Sequence, residues 1–243
     1  MTKLSVNVNK VATLRNTRPQ LNIPDVVRCA KICLDAGAHG ITVHPRPDQR
    51  HIKPDDVYAL ADLLKKYPHA EFNIEGNPFI DYMPILEKVR PTQATLVPDS
   101  PDAATSDHGW NLERDGDRLI PLVRRLKALG CRVSLFMDAD PKQMDFAPQL
   151  DIGRIELYTE PYAAAFARGD KRAADPYAAT AKRAMEVGLE VNAGHDLSLD
   201  NLPPFLAVVP NVMEVSIGHA LVADALEFGF ADTVRKYLRA CGR

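Results

Sequence analysis

Apolar and polar positions change their period again and again along this chain. Short runs of apolar and β-branched residues alternate with longer stretches whose apolar positions fall three or four apart, the pattern of strands alternating with helices. Leu4-Ser5-Val6-Asn7-Val8 is a first strand, and Gly40-Ile41-Thr42-Val43 a second. Glu71-Phe72-Asn73-Ile74-Glu75 alternates as a third, and further strands are predicted over 93–97, 132–137, 154–158, 190–192 and 212–217.

The intervening stretches predict helices over 24–36, 53–67, 77–89, 119–129, 141–150, 162–168, 176–187 and 201–208. A last helical region follows Gly218-His219, with Gly229 as a break. Pro24, Pro54 and Pro78 stand at predicted first turns, where the missing N–H costs nothing, and Gly37 and Gly130 stand at ends. The polar segment 98–117 is longer than a usual strand-to-helix connection, so it is expected to be a functional loop or to hold a short helix.

Eight strand–helix units in one domain, residues 1–243, predict an α/β fold closed as a single (β/α)8 TIM barrel. An open doubly wound sheet fits the same alternation, because periodicity does not establish closure.

Composition narrows the function classes. With 243 residues, 46% of them hydrophobic, one large core is affordable. The net charge of -2 provides no basic field for nucleic acid or an anionic membrane. No apolar run is long enough to span a bilayer, and residues 1–4 enter a strand pattern without a signal-like segment, so a cytoplasmic enzyme is expected. Cys29, Cys33, Cys131 and Cys241 lack the paired spacing of a zinc site and read as buried free thiols.

In either α/β fold, ligands meet the C-terminal ends of the strands. Here those ends carry Asn7, Asn9 and Lys10; His44 and Arg46; Glu75; Asp138; Glu156; Asn192 and His195; and Gly218 and His219. His44, Glu75 and His195 are acid/base candidates, since imidazole titrates near neutrality and a desolvated carboxylate can approach it. Asp138 and Asp140 read as helix caps.

The loops after strands seven and eight, with Gly194 and Gly218-His219, suit a phosphate. Arg46, Arg50 and His51 suit a second anion. Two anion sites flanking acid/base groups imply small phosphorylated substrates. A metal-dependent lyase or hydrolase using His44, Glu75 and His195 as ligands, and a phosphometabolite-binding barrel without catalysis, fit the same residues.

Val6-Asn7-Val8, the stretch Ala12-Thr13-Leu14-Arg15-Asn16-Thr17-Arg18, Gly40 to His44 with Arg46 and Arg50-His51-Ile52, Val191-Asn192-Ala193-Gly194-His195 and Ile217-Gly218-His219-Ala220 together resemble the pyridoxine 5'-phosphate synthase family. The resemblance runs in order along essentially the whole chain. It implies a cytoplasmic (β/α)8 barrel with extra helices, assembled as a homo-octamer, needing no organic cofactor or metal. The implied reaction condenses 1-deoxy-D-xylulose 5-phosphate with 3-amino-2-oxopropyl phosphate to pyridoxine 5'-phosphate, phosphate and water.

It also implies roles. His44 and Glu75 would be proton acceptors, His195 a proton donor and Glu156 a transition-state-stabilising carboxylate. Asn7, Arg18, Gly218 and His219 would contact the aminoketone phosphate, and Arg46, His51 and Thr105 the deoxyxylulose phosphate. Many members carry Asp-His where Asn9-Lys10 stands, Gly where Asp196 stands and Gly where Glu160 stands. Asn9 and Lys10 are expected to form a variant sugar-phosphate site, and Asp196 to make a main-chain contact.

Overall fold

The computed structural model describes residues 1–242. The chain runs β1 (Lys3–Asn7), α1 (Asn9–Asn16), α2 (Val26–Asp35), β2 (Gly40–Val43), α3 (Pro54–Leu64), β3 (Glu71–Gly76), α4 (Met83–Val89) and β4 (Gln93–Leu96). It continues through α5 (Leu112–Ala128), β5 (Arg132–Met137), two short 3-10 turns (Pro141–Asp145 and Ala147–Leu150), β6 (Arg154–Tyr158), α6 (Glu160–Ala167) and α7 (Asp175–Glu186). β7 (Glu190–Gly194), α8 (Leu202–Val208), β8 (Val212–Ile217), α9 (His219–Phe228) and α10 (Phe230–Ala240) complete it.

The eight strands form a closed barrel in sequence order, every neighbouring pair parallel. Closure comes from β1 against β8, with Lys3 beside Glu214 and Val6 beside Ile217. The open-sheet alternative is thereby ruled out. The apolar residues of the strands face the helices; Leu4, Val6, Ile41, Val43, Ile74, Leu96, Leu135, Ile155, Leu157, Val191 and Val215 are all buried in one core.

The inward faces are mainly polar, apart from a small cluster of Val97, Phe136 and Tyr158. Ser5 Oγ lies 2.7 Å from Thr42 Oγ1, and Thr95 Oγ1 donates to Asn73 Oδ1 at 2.9 Å. At the N-terminal end of the barrel, Glu71 pairs with Lys3 and Arg132, while Arg154 Nε donates to Glu190 at 2.6 Å. Polar groups buried in this way hold their places by mutual hydrogen bonds.

All eight expected strands are present, and β5, β6 and β8 have the expected bounds. The helical connections differ more. α1 follows β1 after a single residue; Val8 at its start offers no side-chain cap, so no start signal marks it. α2 begins at Val26 rather than Pro24, capped by Asp25 Oδ1 accepting from Arg28 N at 2.9 Å. The helix expected from residue 77 begins only at Met83: Asn77 Oδ1 turns the chain by accepting from Phe79 N at 2.9 Å, and Asp81 has φ +45°. Pro141 and Pro148 reduce the helix expected over 141–150 to the two 3-10 turns. α5 starts at Leu112, so the polar segment after β4 spans 97–111.

The four cysteines are buried and free. Burial pushes the Cys33 thiol up to about 12, which keeps it protonated and inert. Among the described residues, no helix is long and apolar enough to cross a membrane.

Candidate active site

A cavity of about 710 Å³ opens at the C-terminal end of the barrel. It is lined by Asn7, Asn9, Lys10, His44, Arg46, His51, Glu75, Thr105, Glu156, His195, Asp196, Gly218 and His219. The fold therefore gathers strand ends from β1, β2, β3, β6, β7 and β8 at one mouth. Arg18 stands apart: it is exposed in the turn after α1 and outside the cavity lining. Asp138 and Asp140 serve the backbone, accepting from Gly109 N and Lys142 N, each at 3.0 Å.

β2 delivers His44, and the loop that follows delivers Arg46, Arg50 and His51. His44 is 6% exposed; its backbone N–H donates to Asn9 Oδ1 at 3.0 Å, and Asn9 N donates to Asn7 Oδ1 at 3.0 Å. These two asparagines thus order the first loop against the second. Asn9 has a structural partner in addition to its place at the cavity wall.

His44 Nδ1 lies 3.7 Å from Glu75 Oε2 at the end of β3. Burial, aided by the Arg46 charge, drives His44 well below the usual histidine range. Burial, aided by the carboxylates of Glu156 and Asp99, drives Glu75 well above the usual carboxylate range. Burial thus biases both groups of the pair toward their uncharged forms, the imidazole by disfavouring its proton and the carboxyl by retaining one.

Glu156 is buried midway along β6. Burial, then the neighbouring Glu214, raises it to about 8, and its Oε2 has no hydrogen-bond partner. Gly194 permits this position: a Cβ there would collide with Glu156 Oε1 and lie 3.3 Å from Ser216 O.

His195 follows β7 in a left-handed backbone conformation, φ +84°, and Asp196 follows with φ +56°. The turn is held by Thr159 Oγ1 donating to the carbonyls of Gly194, at 2.6 Å, and His195, and by Asn201 Nδ2 donating to Asp196 O at 3.0 Å. The ring stands edge-on to Tyr158 and Phe136, with centroids 5.3 and 5.6 Å away. Burial lowers His195 below the usual histidine value, and the Asp196 carboxylate opposes that effect.

Two sets of donors suit anions. Gly218 precedes α9 and lines the cavity together with His219 and Ala220 at the start of that helix, and an added Cβ at Gly218 would meet the Asn7 side chain at 3.2 Å. Arg46, Arg50 and His51 form the other set, closed over by the segment after β4. Arg46 Nη1 and Arg50 Nη1 both donate to Ala103 O at 3.0 Å. Burial and the Arg46 charge push His51 down to about 4, so this imidazole is neutral.

Sequence reasoning missed Asp99, Ser106 and Glu214. Asp99 pairs with Arg46 and accepts from Ser106 Oγ at 2.7 Å. Nothing in the polar string after Pro98 distinguishes it from Asp102 or Asp107. Among the described residues, no cluster of three or more His, Cys, Asp or Glu side chains has the geometry to hold a metal ion.

The fold and the cavity define a class: a (β/α)8 barrel that gathers buried imidazoles and carboxylates, with arginines, at its C-terminal mouth. Solved barrels share the architecture at low identity. A tryptophan synthase α subunit from Legionella pneumophila superposes with TM-score 0.63 at 13% identity, covering 98% of this chain and 92% of that one. A thiamine phosphate pyrophosphorylase from Pyrococcus furiosus gives 0.59 at 13%, covering 98% and 94%.

Sequence comparison is more specific. Residues 4–243 match the family described as pyridoxal phosphate biosynthesis protein PdxJ. A pyridoxine 5'-phosphate synthase from Albidiferax ferrireducens is 57% identical over 98% of this chain and 96% of its own length. Another, from Porphyromonas gingivalis, is 52% identical over 98% of each. The chain belongs to the PdxJ family.

Proposed function

We infer that this chain is a pyridoxine 5'-phosphate synthase, a single-domain barrel that condenses 1-deoxy-D-xylulose 5-phosphate with 3-amino-2-oxopropyl phosphate. Full-length identity of 57% to a synthase of that name carries the reading. The shared cavity supports it, because ring closure needs an amine condensed with a ketone, a carbon acid deprotonated, and phosphate and water expelled.

His44 is the first proton acceptor, being uncharged and beside Glu75. Glu75 accepts only after giving up its own proton, which its burial otherwise retains. His195 donates to a leaving oxygen, with Asp196 offsetting part of the burial that disfavours its imidazolium. Glu156 faces the developing positive charge. The Gly218-His219 helix start, with Asn7, takes the aminoketone phosphate; Arg46, His51 and Thr105 take the sugar phosphate, with Lys10 and Asn9 at its edge.

Cytoplasmic residence and self-assembly as a homo-octamer complete the reading. Exposed apolar side chains at Leu21, Ile23, Leu226 and Phe228 support association between copies. The test is direct: purified protein, both substrates and a chelator should yield pyridoxine 5'-phosphate and inorganic phosphate in equal amounts. Binding of both substrates with no product would leave a phosphometabolite-binding barrel instead.

A further inference from the structure

Asp99 is 3% exposed, three residues beyond β4. Its Oδ2 accepts from Arg46 Nη2 and Ser106 Oγ, and the same oxygen lies 3.9 Å from His44 Nε2. Its Oδ1 is buried without a hydrogen-bond partner. One carboxylate thus meets a cation aimed at the cavity, the segment covering it, and an imidazole of the acid/base pair.

We propose that Asp99 is a positioning residue that couples capture of a substrate phosphate by Arg46 to the basicity of His44. This rests on His44 acting as a proton acceptor. A phosphate dianion competes with Asp99 for the guanidinium, since arginine pairs strongly with phosphate through parallel N–H donors. Once Arg46 turns to the phosphate, Asp99 is left with the Ser106 hydroxyl alone, and a buried carboxylate short of partners is costly. His44 Nε2, 3.9 Å from Asp99 Oδ2, is placed to supply another donor.

Two effects then act on His44 in the same direction. The phosphate cancels the Arg46 charge, which depresses its proton affinity in the empty site, and Asp99 becomes an acceptor for an Nε2–H. The proton removed from substrate stays on the imidazole, with one N–H toward Glu75 and the other toward Asp99, whose own charge is unchanged. His44 is also faced by Arg50 and His51 from its own loop and by His195 from beyond β7. Among the described residues, Asp99 is the carboxylate with polar contact to both His44 and Arg46.

The experiment follows the His44 imidazole by nitrogen NMR, with inorganic phosphate as the probe, in the wild type, Asp99→Asn and Asp99→Glu. Saturating phosphate should strengthen proton binding at His44 by about tenfold, an apparent pKa rise of about one. Asp99→Asn should bind phosphate yet lose most of that rise, and Asp99→Glu should restore part of it. A wild-type His44 unmoved by phosphate, or an Asp99→Asn protein that responds like the wild type, overturns the proposal. If Asp99→Asn does not fold, Asp99→Ser takes its place: a response identical to the wild type overturns the coupling.

In turnover, the acid limb of kcat should move to lower pH in Asp99→Asn. A residue that merely props the covering segment would lower kcat without moving the limb. The phosphate response needs no product, so failure of the synthase reading would show separately, as an absent product with the NMR response intact.

Discussion

His44 Nδ1 and Glu75 Oε2 face each other at 3.7 Å, both nearly sealed from solvent at the ends of adjacent strands. Burial pushes their proton affinities in opposite directions, each toward its uncharged form. Glu75→Gln keeps the shape and a donor but removes the titration. Turnover should fall about a hundredfold or more, the usual worth of a positioned acid/base group, while substrate binding stays nearly intact. Steady-state kinetics with a binding titration checks it; a loss of tenfold or less removes the assignment.

His195 is predicted to be as important. His195→Ala should lower kcat by about a hundredfold. Because its φ is +84°, alanine also adds backbone strain. His195→Asn tolerates that conformation better, so it should retain the wild-type melting temperature with the same kinetic loss. Full activity in His195→Asn would show that the ring serves only to pack against Tyr158 and Phe136.

Arg46 donates through separate nitrogens to Ala103 O and Asp99. A lysine ammonium is a point charge without the planar fork. Arg46→Lys should raise KM for the deoxyxylulose phosphate about tenfold or more, since one charge-assisted hydrogen bond is worth roughly 1.5–3 kcal/mol. KM for the aminoketone should change little. Equal rises for both substrates would argue against two separate anion sites.

Gly194→Ala tests the close approach behind Glu156. The added methyl must displace the Glu156 carboxylate or β7, so kcat should fall, and overpacking should cost about 1–3 kcal/mol of stability. Chemical denaturation and kinetics together check this; an alanine variant of wild-type activity would mean that Glu156 has no fixed position.

Glu214 gives the clearest pH dependence of stability. It is 2% exposed, and burial, aided by Glu71, raises it to about 7. The folded state therefore holds this proton more tightly than the unfolded chain does. Stability is greatest below the unfolded carboxyl value near 4.5 and is lost as pH rises toward 7. Glu214→Gln should remove that loss and gain up to about 3 kcal/mol at alkaline pH relative to wild type. Melting curves at acid and alkaline pH check the sign; a variant that follows the wild-type profile would place the titration elsewhere.

The sequence by itself determined the strands, because each is a short apolar run whose period depends on local side-chain alternation and not on partners. It also determined which residue types stand at the strand ends, and the family resemblance attached chemistry to them. It did not reveal α1, which lacks a capping residue, or the late start of α4, where the Asn77 side chain replaces a helical turn.

Only the tertiary structure decided that β8 closes on β1, which brings Asn7 beside Gly218 across 211 residues of chain. It likewise set Asp99 between Arg46 and His44, and left Arg18 outside the cavity. These are relations between residues far apart in the chain. Barrel closure and long-range packing fix such relations, and no local period records them.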